Sequence, residues 1–304
     1  MILPRNNEKE VWLNMRQAIS RRSFLRGVSA AGALYTLSRP MAGWTEETPS
    51  SSELGFPLID FHAHVEGRMT TARLLELAKE RGVKIGIAQH GGCTEEMKDD
   101  AGIRQYIATW EGLPVYKGMQ AEGHTWMRCF SNDVVAQLDF VLADAMTFPE
   151  KDGRWVRLWT PEAQITDRQD FMERYVEFNV QVISREPIDI FANPTFLPDA
   201  IAKEYDALWT KERMRKVIDA AVKYGVAIEI NSRYKIPSLA FLRMAKDAGA
   251  KFSFGSNAHD ESVAILDYSV KTAKELGLTR SDMFAPAPAD RKPILTRALG
   301  LGEG

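Results

Sequence analysis

Between residues 57 and about 285 the chain alternates two hydrophobic patterns, and no other feature constrains its fold as strongly. Short apolar runs suited to strands end in DFHAH (60–64) and recur at 83–90, 115–123, 138–146, 188–194, 226–232 and 250–259. Amphipathic stretches suited to helices occupy 70–82, 95–112, 168–185, 211–225, 237–249 and 264–277, the first stopped by Gly82. Strands that alternate with helices pair in parallel through right-handed crossovers. Seven strands in a stretch of this size predict an α/β fold, a distorted (β/α)7 TIM-like barrel with mostly parallel strands. The alternative is an open doubly wound sheet. No glycine-rich phosphate loop follows the first strand, which weighs against its nucleotide-binding form.

A barrel collects the carboxyl ends of its strands on one face. Five histidines occur in the chain, and four of them, His62, His64, His90 and His259, fall at predicted strand ends. His124 lies just past another strand end, two residues after Glu122. In a strand His62 and His64 point the same way. Imidazoles that converge with a carboxylate suit zinc, manganese or iron. Each histidine taken singly fits an ordinary hydrogen-bonded role equally well.

The net charge is −2, which gives no reason to expect nucleic acid or an anionic membrane as a partner. Cys93 and Cys129 are too few for a disulfide framework or a cysteine zinc module, and pairing or two free thiols are both compatible with the sequence. Residues 20–37, SRRSFLRGVSAAGALYTL, resemble a twin-arginine export signal, with a weakly apolar stretch too short to span a membrane. The domain reading is therefore a signal over 1–43, a polar linker over 44–56, a barrel over 57–285 and a tail over 286–304 whose Pro and Gly content implies a loosely ordered end. The localisation it implies is periplasmic or extracellular, with no stable membrane span after signal removal.

Seven segments in order resemble the motifs of the PHP (polymerase and histidinol phosphatase) superfamily: DFHAH, GIAQHGG, KGMQAEG, LDFVLADAM, DIFANPTFLP, AIEINS and FSFGSNAHD. The resemblance implies a metal-dependent hydrolase of phosphoesters, acting through metal-activated water at the carboxyl face of the barrel. It implies metal ligands at His62, His64, His90, Glu122, Asn257 and His259, for one or two divalent ions (Zn, Mn or Fe). The pattern is depleted. Gln89 and Asn257 stand where the family carries aspartate, Met146 and Asn193 where it carries histidine, and Asp144 where it carries serine. His124, Asp144, Asn193 and Glu229 are further candidates to line the site. Arg233, just past the AIEIN strand, is a candidate contact for a substrate oxyanion. The implied substrate is a small phosphorylated molecule. Two other readings stand beside this one. HAHVEGRMTTARLLELAKERGV also looks like the opening of an amidohydrolase-type enzyme, and the depleted motifs fit a non-catalytic metal- or ligand-binding barrel.

Overall fold

The computed structural model describes residues 54–67 and 69–297, so the expected export signal over 1–43, residues 44–53 of the expected linker and the last seven residues lie outside the described part. Four strands, β1 (Ile59–Ala63), β2 (Lys84–Gly91), β3 (Val115–Ala121) and β4 (Phe140–Ala143), pair in parallel in chain order. A small antiparallel hairpin follows, β5 (Thr147–Pro149) and β6 (Trp155–Arg157), which the sequence reading missed because each strand is only three residues long. The parallel series resumes with β7 (Ile190–Phe191), β8 (Ala227–Asn231) and β9 (Phe252–Gly255). Pairing of β9 with β1 at Asp60↔Phe254 closes a barrel of seven strands, all parallel. The fold is a TIM-like α/β barrel, and the open sheet is ruled out.

Helices α1 (Thr71–Arg81), α2 (Asp100–Thr109), α3 (Arg168–Arg185), α4 (Lys211–Tyr224), α5 (Leu239–Asp247) and α6 (Asp267–Leu276) surround it. Their limits are written in local chemistry. The side chains of Thr70, Asp99, Asp167, Thr210 and Ser238 accept backbone N–H groups at the first turns of α1 to α5. The Asp99 cap explains why α2 starts five residues later than its hydrophobic pattern predicts. Gly82, Gly225 and Gly277 close α1, α4 and α6 at φ 64°, 67° and 59°, a backbone region that costs glycine nothing.

The barrel interior is layered. Its floor is apolar, with Phe61, Ala88, Phe140, Leu142, Ile190, Ala192 and Ala227 packed together. Phe61 meets Phe140 edge to face at 5.1 Å. Gly118 makes room for Phe140, since a Cβ at Gly118 would collide with that ring. One residue inserted in β1 matters for the site. Asp60 pairs with Ile85 and Ala63 with Ile87, so β1 advances three residues where β2 advances two. This bulge turns the consecutive residues Phe61 and His62 both inward, Phe61 into the apolar floor and His62 into the polar layer above it. Asp60 points the other way. Its buried carboxylate accepts from the backbone of His62, Ser256 and Ala264 and from the Ser256 hydroxyl, tying β1 to the segment after β9.

The tail departs from its expected looseness. A short helix, α7 (Pro293–Thr296), buries Ile294, Lys292 donates to the Asp139 carbonyl, and Arg297 caps the carbonyls of Ile183 and Ser184 near the end of α3. The apolar Ile294 and the long stems of the two basic side chains outweigh the Pro-rich composition. No described helix is long and apolar enough to cross a membrane.

Candidate metal centre

Above the apolar floor lies a layer of polar side chains bonded mainly to one another. His62 hydrogen-bonds Glu229 Oε1 through Nδ1 at 2.6 Å and Gln120 Oε1 through Nε2 at 3.0 Å. Glu229 Oε2 accepts from the backbone N–H of Asn193 and from Asn231 Nδ2, at 2.7 and 3.1 Å. Asn193 Oδ1 accepts from both Asn231 Nδ2 and Asn257 Nδ2, and Asn193 Nδ2 donates to Asp144 Oδ2 at 2.8 Å. Asn193 and Asn257 hold φ 48° and 47°, a left-handed conformation that asparagine tolerates better than most residues. Gly255 opens the space for this layer, because a Cβ there would run into the Glu229 carboxylate and the side chain of His62.

Burial by itself would discharge both members of the His62–Glu229 pair. Their mutual attraction outweighs it, so the imidazole is raised and the carboxylate lowered, and the two form a buried ion pair. Asp144 has no such cation in contact. Burial first, and the nearby Glu122 charge second, push its carboxyl up to about 6.

The next layer carries the metal-binding character. His64 is buried, and neither of its ring nitrogens has a hydrogen-bond partner. It is stacked between His90 at 4.5 Å and His259 at 4.3 Å. Burial, followed by the like charges of His62, His90 and His259, holds it far below the usual imidazole range, so it is neutral at physiological pH. Glu66 reaches His259 Nδ1 at 3.1 Å and His90 Nε2 at 3.4 Å. Glu122 accepts from His90 Nδ1 at 2.7 Å, and burial of His90 is outweighed by that bond and charge, which raise its pKa. One ligand atom from each of His64, Glu66, His90 and His259 lies within 4.8 Å of every other. Three imidazoles and a carboxylate are a donor set that a divalent ion accepts, and the orphaned nitrogens of His64 mark a place built for a further partner.

The structure therefore brings His64, His90 and His259 together, with Glu122 bonded to His90. It departs from expectation elsewhere. His62 is occupied at both nitrogens by Glu229 and Gln120, one layer below. Asn257 gives its Nδ2 to Asn193 Oδ1 in the amide network and lines the same cleft as the histidines. His124 faces another way and bonds Glu186 Oε1 at 2.7 Å. Arg233 lines the same cleft as the histidines and donates to the Asn257 carbonyl at 2.9 Å. Glu66 was missed although it continues the spacing of His62 and His64 by two more residues. The cleft over the cluster has a volume of about 890 Å³.

Fold and site together define a closed parallel β/α barrel with a histidine–carboxylate group able to bind a metal ion at its carboxyl face. No protein-family model matches the chain, and no curated protein sequence matches it. Among solved structures the chain is similar to one in the cryo-EM structure of archaeal ribonuclease P with mature tRNA. That match has 15% identity and a TM-score of 0.36, over 72% of this chain and 89% of that one.

Proposed function

We propose that this chain is an exported, metal-dependent hydrolase of the PHP kind that acts on small anionic esters, phosphoesters above all. The observation that carries the reading is the cluster of His64, His90, His259 and Glu66, with two buried nitrogens of His64 unpartnered. These four residues would hold one divalent ion, zinc, manganese or iron. Bound there, it would supply a Lewis acid and lower the pKa of a water molecule.

The surrounding residues do the rest. Glu122 orients His90 through Nδ1, which fixes which nitrogen of that ring carries the proton. Arg233 has guanidinium N–H groups beyond the one given to Asn257 and is placed in the cleft to bind a substrate oxyanion. Asp144, with a carboxyl near 6, is suited to hold or release a proton in the cleft at neutral pH. The amides of Asn193 and Asn257 and the imidazole of His62, paired with Glu229, occupy positions where the family resemblance implies further ligands, which supports one ion per chain. Cys93 and Cys129 form a disulfide between the segments after β2 and β3, and such bonds persist in oxidising compartments, in keeping with export.

The test is elemental analysis of the purified chain and of its His64→Ala variant, with a phosphoester panel assayed on both. One ion per chain and hydrolysis, both lost in the variant, support the proposal. One ion with no turnover on any ester favours the non-catalytic binding barrel, which the depleted motifs also fit.

A further inference from the structure

The β5–β6 hairpin is not needed to close the barrel, yet it places Trp155 on the wall of the histidine cleft, with Trp159 just beyond it. The two indoles are 52% and 48% exposed, unusual for the largest side chain in the chain. Trp155 is nevertheless held firmly. One face stacks on His124, with centroids 4.8 Å apart and planes 23° from parallel. His124 is fixed in turn by Glu186, a buried carboxylate that bonds its Nδ1 at 2.7 Å and also accepts from Trp126 Nε1 at 2.9 Å. A buried carboxylate orients an imidazole, and the imidazole orients an indole that is left half open to the cleft. The same cleft presents Tyr234, beside which the Arg233 guanidinium sits 5.6 Å from the ring centroid.

We infer that this wall is a subsite for an aromatic ring, so that the substrate is an aryl ester of an anion. Indole and phenol faces take up a planar ring, and Arg233 at the junction with the histidine layer takes up the charge. Aromatic residues set in a concave cleft next to convergent polar groups fit a small ligand better than the flat surface of a protein partner. The ester half of this inference rests on the function proposed above; the ring half rests on Trp155 and its supports alone.

Calorimetric titration of the full chain with phenylphosphonate and with methylphosphonate, each with and without one equivalent of zinc, separates the two halves. The phenyl compound is expected to bind about tenfold more tightly than the methyl compound. That ratio should fall to near one in Trp155→Ala, persist in Trp155→Phe and shrink in His124→Ala, which loses the support beneath the indole together with the Glu186 contact. It should not depend on zinc. Equal affinity of the two compounds, binding of neither, or a ratio unchanged in Trp155→Ala would overturn the inference. A ratio that survives while zinc, manganese and ferrous iron all fail to bind would sink the metal reading and leave the ring subsite standing.

Discussion

His64 and His90 lie face to face at the carboxyl end of the barrel, ring centroids 4.5 Å apart and planes 6° from parallel. Two imidazoles are held in contact there with a neutral, unpartnered His64 between His90 and His259. A buried polar group without a partner costs about 1–3 kcal/mol. Replacing His64 with leucine should therefore leave the metal-free protein as stable as before or more so, while it weakens zinc binding by about 100-fold or more. Thermal unfolding of both proteins with and without zinc measures both effects. A metal-free His64→Leu variant that is much less stable would show that the ring is packed for structure alone.

The two histidines of the opening motif are expected to behave differently. His62 belongs to a buried pair with Glu229, and breaking such a pair leaves an uncompensated charge at a cost of about 3–5 kcal/mol. Glu229→Ala should be destabilised by about that amount, whereas His259→Ala, at an exposed position, should lose less than about 1 kcal/mol. His62→Gln should keep its metal if it folds. Loss of the ion from a folded His62→Gln variant would mean that His62 leaves Glu229 to become a ligand.

The disulfide between Cys93 and Cys129 closes a loop with a sequence separation of 36 and ties together two segments that border the cleft. Chain-entropy estimates for a loop of that length are about 2–4 kcal/mol. Reduction, or the double variant Cys93→Ala/Cys129→Ala, should lower the unfolding free energy by that much in urea titrations. An unchanged midpoint under reducing conditions would show that the bond does not constrain the unfolded chain.

Acidity should affect this protein through its buried carboxylates. At the base of the barrel Asp189 accepts from the Val141 N–H, and burial pushes its carboxyl up to about 6 despite nearby Lys292 and Arg297. The folded state therefore holds a proton that the unfolded state releases near pH 4. Stability contributed by that proton is present below about pH 4, is lost as pH rises to about 6, and stays lost above it. Asp189→Asn should flatten this part of the profile, gaining up to about 3 kcal/mol on the wild type between pH 4 and pH 7. Parallel stability curves for the two proteins would refute the shifted carboxyl.

The floor of the barrel has little tolerance for added volume. Gly118→Ala would drive a methyl group into the Phe140 ring, which is itself locked against Phe61. A loss of about 1–3 kcal/mol is expected, and partial rescue by Phe140→Leu in the same chain would identify the clash as its cause.

The alternation of period-two and period-3.6 patterns determined an α/β fold of parallel strands, with helix limits written locally: Asp167 and Thr210 open helices, and Gly82 and Gly225 end them. Closure into a barrel rather than an open sheet was decided by the pairing of β9 with β1, a contact between the two ends of the series. The gathering of His64, His90 and His259 was legible as well, since strand ends in a parallel barrel must converge. What each histidine does was decided only in three dimensions. A one-residue bulge in β1 set His62 against Glu229, a partner 167 residues away. The direction of the chain after β3 turned His124 onto Glu186, and left-handed backbone at Asn193 and Asn257 drew their amides into a shared network. Local sequence fixes where a strand ends; which buried charge meets which partner depends on contacts that exist only once the barrel has closed.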